Sequence, residues 1–220
     1  MHAQGQFIQA RDEVGEPGVR YTPDRLIEAL AAVDGIIITS QHRMTRQVLE
    51  AAPRLKVIAK YGSRPGQDNV DLAAATERGI VVSYTPGANA DSVAEHTVAL
   101  ILSLLHRIGP TSEALRRGEW RDLSRLGQEL WHKTVGLVGL GTVGLKVVEK
   151  LVGFDVTLLA YDPYASDETL QRAGALRVTL PELMAESDVI TVHAILSPET
   201  ENLIGEAELR LCRPGAFVVN

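Results

Sequence analysis

The sequence predicts an α/β protein with two domains, each built around a parallel sheet. Short β-branched runs alternate with segments of helical spacing in both halves of the chain, which indicates βαβ units. The strand candidates are continuous apolar runs, as expected for strands that are covered on both faces. A length of 220 residues allows one or two domains with sizeable cores.

In the first half of the chain, three strand candidates alternate with helical patterns. The strand candidates are residues 35–39, 56–59 and 80–83, and the helical patterns are 45–52 and 70–78. A longer helix is predicted over 91–107, because Ser92 and Glu95 have capping-box spacing at its start. Gly109 and Pro110 break this pattern, so we place a domain boundary near Arg107, between residues 1–107 and 108–220.

The alternation is stronger in the second half. Strands are predicted at 135–140, 157–161, 189–193 and 216–219, and helices at 143–151, 167–173 and 206–212.

Composition excludes several functional classes. The net charge of −6 argues against non-specific nucleic-acid binding. The single cysteine, Cys212, excludes a disulfide framework and a cysteine-based zinc cluster, and it favours a reducing, cytoplasmic location. The most apolar stretch, 98–105, is too short to span a bilayer. We therefore expect no nucleic-acid partner, no membrane partner and no metal.

A glycine motif follows the first strand of the second half. Gly139, Gly141 and Gly144 have G-x-G-x-x-G spacing, between a predicted strand and a predicted helix. The first glycine permits a tight turn, the second lets the backbone approach a pyrophosphate, and the third lets the helix pack closely on the strand. The helix N-terminus then offers N–H groups to the phosphates. Alone, the motif also fits a glycine-rich turn that binds no ligand.

An acidic residue closes the next predicted strand. Asp162 lies 18 residues after Gly144, near the position where a dinucleotide site places the acid that binds the ribose 2′-hydroxyl. Asp162 could instead start a turn before Pro163. The strand, glycines, helix and acid together favour a dinucleotide site. Asp162 favours NAD over NADP, because it would repel a 2′-phosphate and no arginine follows it directly.

From about residue 21 to residue 220, the sequence resembles the D-isomer-specific 2-hydroxyacid dehydrogenases, a family that includes phosphoglycerate dehydrogenase and the C-terminal-binding-protein corepressors. Besides the glycine motif, the matching stretches are DNVD at 68–71, GIVV at 79–82, TPGAN at 85–89, SVAEH at 92–96, GEW at 118–120, YDPY at 161–164, VH at 192–193, PET at 198–200 and GAFVVN at 215–220.

The resemblance implies a flavodoxin-like substrate-binding domain over 1–107 and a Rossmann NAD-binding domain over 108–220. It implies that the pyrophosphate is held by Gly139, Gly141, Thr142, Val143 and Gly144. Asp162 and the following Pro163 would flank the adenosine ribose. The adenine and nicotinamide-ribose side would be lined by the segment from His193, Ala194 and Ile195 to Thr200. The substrate carboxylate would meet backbone N–H groups of Gly62, Ser63 and Gly66.

The sequence departs from the family pattern at four places. Thr142 stands where arginine or lysine is usual, Ile195 replaces a usual proline, and His132 replaces a common glycine. The loop from Gly62 to Gly66 is two residues longer than usual, which puts the ordinary substrate geometry in doubt.

The implied activity is NAD-dependent interconversion of a 2-oxo acid and a D-2-hydroxy acid, as in phosphoglycerate dehydrogenase. The family's catalytic arginine, glutamate and histidine are expected beyond Asn220, so the sequence predicts a C-terminally truncated chain that contains no catalytic residue and is inactive alone. The alternatives are a catalytically inactive NAD(H)-binding module that acts through a protein partner, and a non-functional fragment. By resemblance, residues 91–129 would form a homodimer interface.

Overall fold

The computed structural model describes residues 22–39, 41–62, 69–120 and 122–220. The chain forms two compact units, Met1–Ala88 and Asn89–Asn220. This division lies earlier in the chain than the boundary predicted near Arg107, because residues 94, 101 and 105 pack into the core of the second unit. The substrate-binding and NAD-binding roles of residues 1–107 and 108–220 stay predictions.

The first unit contains a three-stranded parallel sheet in the order β1-β2-β3. Its described elements, in chain order, are α1 (Pro23–Leu30), β1 (Gly35–Ile38), α2 (Arg46–Glu50), β2 (Val57–Lys60), α3 (Leu72–Glu77) and β3 (Val81–Ser83). Thr22, Thr45 and Asp71 cap the three helices by accepting a first-turn N–H. Ile38 and Ile58 are fully buried in the core of this unit.

The second unit contains a five-stranded parallel sheet in the order β6-β5-β4-β7-β8. Its strands are β4 (Thr134–Val138), β5 (Thr157–Tyr161), β6 (Ala175–Arg177), β7 (Val189–Val192) and β8 (Phe217–Val219). Its α-helices are α4 (Ala90–Leu105), α5 (Ile108–Arg116), α6 (Thr142–Leu151), α7 (Asp167–Ala173), α8 (Leu180–Glu186) and α9 (Glu206–Leu211). The predicted α/β class with parallel sheets is confirmed.

Two predictions about α4 and its surroundings are wrong. Helix α4 begins at Ala90 with Asn89 as its N-cap, so Ser92 lies inside the first turn and forms no capping box. Glu95 instead pairs with Lys150 of α6 at 3.3 Å. Helix α4 ends at Leu105, before the predicted end at Arg107, whose φ of 53° is left-handed. Gly109 and Pro110 do not break the helical structure, because both lie in the first turn of α5, where a missing N–H costs no helical hydrogen bond.

Helices α1, α5 and α8 and strand β6 were not predicted from the sequence. Strand β6 is only three residues long and carries no periodic signal. Helix α8 does have a sequence signal, because Thr179 and Glu182 form a reciprocal capping box. Among the described residues, no helix is long and apolar enough to cross a membrane.

Candidate functional site

The order in which the strands of the second sheet are added changes direction between β4 and β7. Strand β5 lies on one side of β4 and β7 lies on the other, and Val138 and Val192 pair at the carboxyl ends of β4 and β7. In parallel α/β sheets, such a reversal opens a crevice at the carboxyl ends of the strands, where ligands bind. The glycine motif leaves β4 at this point.

Two of the three glycines are required by close packing within the protein. Gly139 has a φ of +95°, and a Cβ there would lie 2.8 Å from the backbone nitrogen of Ala194. A Cβ on Gly144 would lie 2.4 Å from the carbonyl oxygen of Gly139. Gly139 therefore lets the loop pass the end of β7, and Gly144 lets α6 pack against the loop.

Gly141 is different, because no atom lies within 4 Å of the position that its Cβ would occupy. Gly141 is the N-cap of α6 and provides no side-chain cap, and Thr142 is exposed at the first turn. Val143 is half-buried against the core. An open space beside uncapped N–H groups suits a pyrophosphate, so the residues present fit a dinucleotide at this place.

Asp162 links the end of β5 to the glycine loop. Its Oδ2 accepts the N–H of Leu140 at 2.8 Å, and its Oδ1 accepts the N–H groups of Tyr164 and Ala165 at 2.9 and 3.2 Å. The turn that the sequence suggested before Pro163 is thus present. A carboxylate has about four acceptor positions, so three backbone bonds leave capacity for a ribose hydroxyl.

The segment after β7 forms the other wall of the crevice. The N–H of His193 donates to the carbonyl of Val138 at 2.8 Å. The His193 Nε2 lies 2.9 Å from the hydroxyl of Thr191, and burial lowers the pKa of the imidazole. Thr200 closes the following turn, because its hydroxyl bonds the carbonyl of Ile195 and accepts the N–H of Ser197.

The predicted substrate loop is described only at its start. Gly62 has a φ of +143°, which favours glycine, and its carbonyl accepts the N–H and the hydroxyl of Thr85 at 3.0 and 3.2 Å. Ser63 and Gly66 lie outside the described residues.

Two contacts of this site were not anticipated from the sequence. Leu140 donates to Asp162 through its backbone, which no side-chain pattern could reveal. Arg177, at the end of β6, donates to the carbonyl groups of Asp162 and Ala165. In the described part of the chain, no cluster of three His, Cys, Asp or Glu residues could hold a metal ion.

Comparison with known proteins places the second unit in a family. Residues 98–220 match the family model described as "D-isomer specific 2-hydroxyacid dehydrogenase, NAD binding domain". The D-3-phosphoglycerate dehydrogenase of Archaeoglobus fulgidus is 39% identical over 197 residues, which are 90% of this chain and 37% of that protein. The glyoxylate reductase of Thermococcus litoralis is 36% identical, over 89% of this chain and 60% of that protein. The chain thus spans only part of the length of these relatives.

Solved structures agree with the sequence comparison. The apo-structure of D-lactate dehydrogenase from Escherichia coli superposes with a TM-score of 0.79 at 33% identity, over 90% of this chain and 62% of that one. A D-lactate dehydrogenase from Aquifex aeolicus, complexed with NAD and lactic acid, gives a TM-score of 0.77 at 30% identity, over 87% of this chain and 57% of that one. The predicted cofactor, NAD, is confirmed by the matched domain. The chain belongs to the D-isomer-specific 2-hydroxyacid dehydrogenase family.

Proposed function

We propose that the full-length protein is an NAD-dependent oxidoreductase that interconverts a 2-oxo acid and a D-2-hydroxy acid, in the manner of a phosphoglycerate dehydrogenase. The observation that carries this proposal is the crevice between β4 and β7, where the open space at Gly141 meets the N-terminus of α6. Family membership supports the same reaction class.

The first group of predicted cofactor residues lies in the glycine loop before α6, and we propose that this loop binds the pyrophosphate. The backbone from Gly139 to Gly144, including Thr142 and Val143, would cradle the pyrophosphate, with the positive end of the α6 dipole directed at it. Because Thr142 carries no charge, this cradle relies on backbone N–H groups.

Asp162, held by three backbone N–H groups, would accept a hydrogen bond from the adenosine ribose, with Pro163 exposed beside it.

The wall formed by His193, Ala194, Ile195 and Thr200 would flank the rest of the cofactor. When bound, NADH supplies the hydride, and the protein holds its two ends in place. The lowered pKa keeps His193 uncharged at neutral pH, so it can accept or donate one hydrogen bond without adding charge to the crevice.

On the substrate side, we propose that Gly62, Ser63 and Gly66 offer backbone N–H groups to the substrate carboxylate. The positive φ of Gly62 fits a sharply turned loop after β2. We propose residues 1–107 for substrate binding and 108–220 for NAD binding. We assign no catalytic acid, base or carbonyl-binding residue within the described residues.

The test is cofactor binding and turnover by the full-length protein. NADH binding, followed by fluorescence, should weaken at least about tenfold in Gly141→Ala, because the new methyl group occupies the space where the backbone approaches the pyrophosphate. Its thermal stability should match wild type, because nothing lies within 4 Å of the new Cβ. Equal NADH affinity in Gly141→Ala would refute the assigned site.

Turnover is tested with NADH and a panel of 2-oxo acids. Oxidation of NADH by one of them supports the proposal. NADH binding without turnover on any of them would overturn it in favour of an inactive NAD(H)-binding module.

We also propose that the protein is a cytoplasmic homodimer. Ile108, Leu115, Trp120, Leu123 and Leu126, which follow α4 within the segment 91–129, are all more than half exposed. Leu115, Leu123 and Leu126 line one cleft, and contiguous exposed apolar surface marks interaction sites. Sedimentation analysis of the wild-type protein should give twice the monomer mass. The substitution Leu123→Glu should lower the measured mass towards that of the monomer. A wild-type protein that sediments as a monomer would refute the dimer.

A further inference from the structure

The loop that carries Asp162 is bound from a neighbouring strand by one arginine. Arg177 ends β6, which pairs with β5 so that Arg177 lies opposite Ala160. From there its Nη1 donates to the carbonyl of Asp162 at 3.2 Å, and its Nη2 donates to the carbonyl of Ala165 at 2.6 Å. Nη2 also lies 3.0 Å from Oδ1 of Asp167. One guanidinium thus binds two carbonyl groups of the loop between β5 and α7 and the side chain of the first residue of α7.

The contacts of Arg177 complement those of Asp162. The Asp162 carboxylate binds the N–H groups of Tyr164 and Ala165, whereas Arg177 binds the carbonyl groups of Asp162 and Ala165. Ala165 is therefore held through both its N–H and its carbonyl. Hydrogen bonds from a charged donor are stronger than neutral ones, and the planar guanidinium reaches several acceptors at once.

We infer that Arg177 is a positioning residue that fixes Asp162 for the adenosine ribose and so contributes to the preference for NAD over NADP. This inference rests on the proposed function. A fixed carboxylate can accept the 2′-hydroxyl of NAD and repel the 2′-phosphate of NADP. In a loosened loop the carboxylate can turn away, so the hydrogen bond to NAD weakens and the repulsion of NADP falls.

The informative substitution is Arg177→Lys, because it keeps the positive charge and removes the planar fork. A change in selectivity then reports the loop geometry and not a change in net charge. Arg172, an exposed arginine in the last turn of α7, provides the matched control Arg172→Lys.

The first measurement needs no cofactor. Hydrogen exchange of the backbone amides in 162–166 should be faster in Arg177→Lys than in wild type, while exchange in β4 stays unchanged. Arg172→Lys should leave both regions as in wild type. Unchanged exchange of the loop in Arg177→Lys would overturn the inference, even if the variant bound cofactor poorly for another reason.

The second measurement is equilibrium binding of NADH and NADPH to the full-length protein. We expect the dissociation constant of NADH to rise about 5- to 10-fold in Arg177→Lys, as for the loss of about one hydrogen bond. The constant for NADPH should rise less, so the preference for NADH falls. An unchanged preference would overturn the inference, because a merely structural defect weakens both cofactors equally. Wild-type protein that binds no NADH would refute the proposed function instead.

Discussion

The tight passage of the glycine loop past the end of β7 makes Gly139→Ala a strong test of the structure. At Gly139 the backbone has a φ of +95°, which an L-residue with a Cβ adopts only with strain. The new Cβ would also lie 2.8 Å from the nitrogen of Ala194 and 2.9 Å from the carbonyl carbon of His193. Both atoms belong to the backbone, so neither can move aside as a flexible side chain would.

The loss of stability in Gly139→Ala can be worked out from the positive φ and from the close contacts with the backbone. A non-glycine residue at an unfavourable positive φ costs about 1–3 kcal/mol. Inserting a methyl group into well-packed surroundings costs about 1–3 kcal/mol. Together they predict a loss of about 2–6 kcal/mol, which corresponds to a lowering of the unfolding temperature on the order of 10 °C for a unit of this size.

Scanning calorimetry of the full-length protein measures this loss. The transition of the second unit is the one that added NADH shifts upward, because a ligand that binds only the native state stabilises it. Gly141→Ala is the control, because its Cβ would meet no atom within 4 Å and its φ is −78°. If Gly139→Ala and Gly141→Ala unfolded at the same temperature, the described path of the loop past β7 would be wrong.

Two further predictions concern single polar side chains of the second unit, the fully buried Ser187 and the half-buried His193. The hydroxyl of Ser187 is buried and has no hydrogen-bond partner among the described residues. We therefore expect Ser187→Ala to raise the free energy of unfolding, measured in urea, by about 1 kcal/mol. A lower free energy of unfolding would show that the hydroxyl is hydrogen-bonded. Burial lowers the pKa of His193, so the unfolded state binds more protons as the pH falls below about 6.5 and stability decreases there. His193→Gln should reduce this acid-side loss in urea titrations, and an unchanged pH profile would contradict the assignment.

The parallel strands were predictable because their signal is local. Buried parallel strands are continuous apolar runs, and the predicted 157–161 coincides with β5 while 189–193 exceeds β7 by one residue. Strand β6 was missed because its three residues include no β-branched residue, whereas β3 and β8, which are equally short, each contain two valines. Helix α8 could have been predicted from the Thr179 and Glu182 capping box.

The boundaries around α4 were predicted less well, because they depend on distant contacts. The helix was expected to start at Asp91 with a capping box, yet it starts at Ala90, and Lys150 of α6 attracts both Asp91 and Glu95 at 3.3 Å. Its apolar face packs into the second core, so the compact units divide before Asn89 and not near Arg107. The apolar residues of a helix have the same sequence spacing whichever of the two cores they pack into, so the pattern alone could not assign α4 to the second unit.

The sequence alone determined the α/β class, the glycine motif and the acidic residue after the next strand, because periodicity and turn chemistry are properties of neighbouring residues. Only the tertiary structure decided which groups meet at the crevice. The strand order places β7 beside β4, which brings the backbone of Ala194 against Gly139, and it places β6 beside β5, which brings Arg177 to the loop of Asp162. Both contacts join segments far apart in the chain, and in each of them the partner is a backbone atom, which every residue carries, so the sequence could not identify that partner.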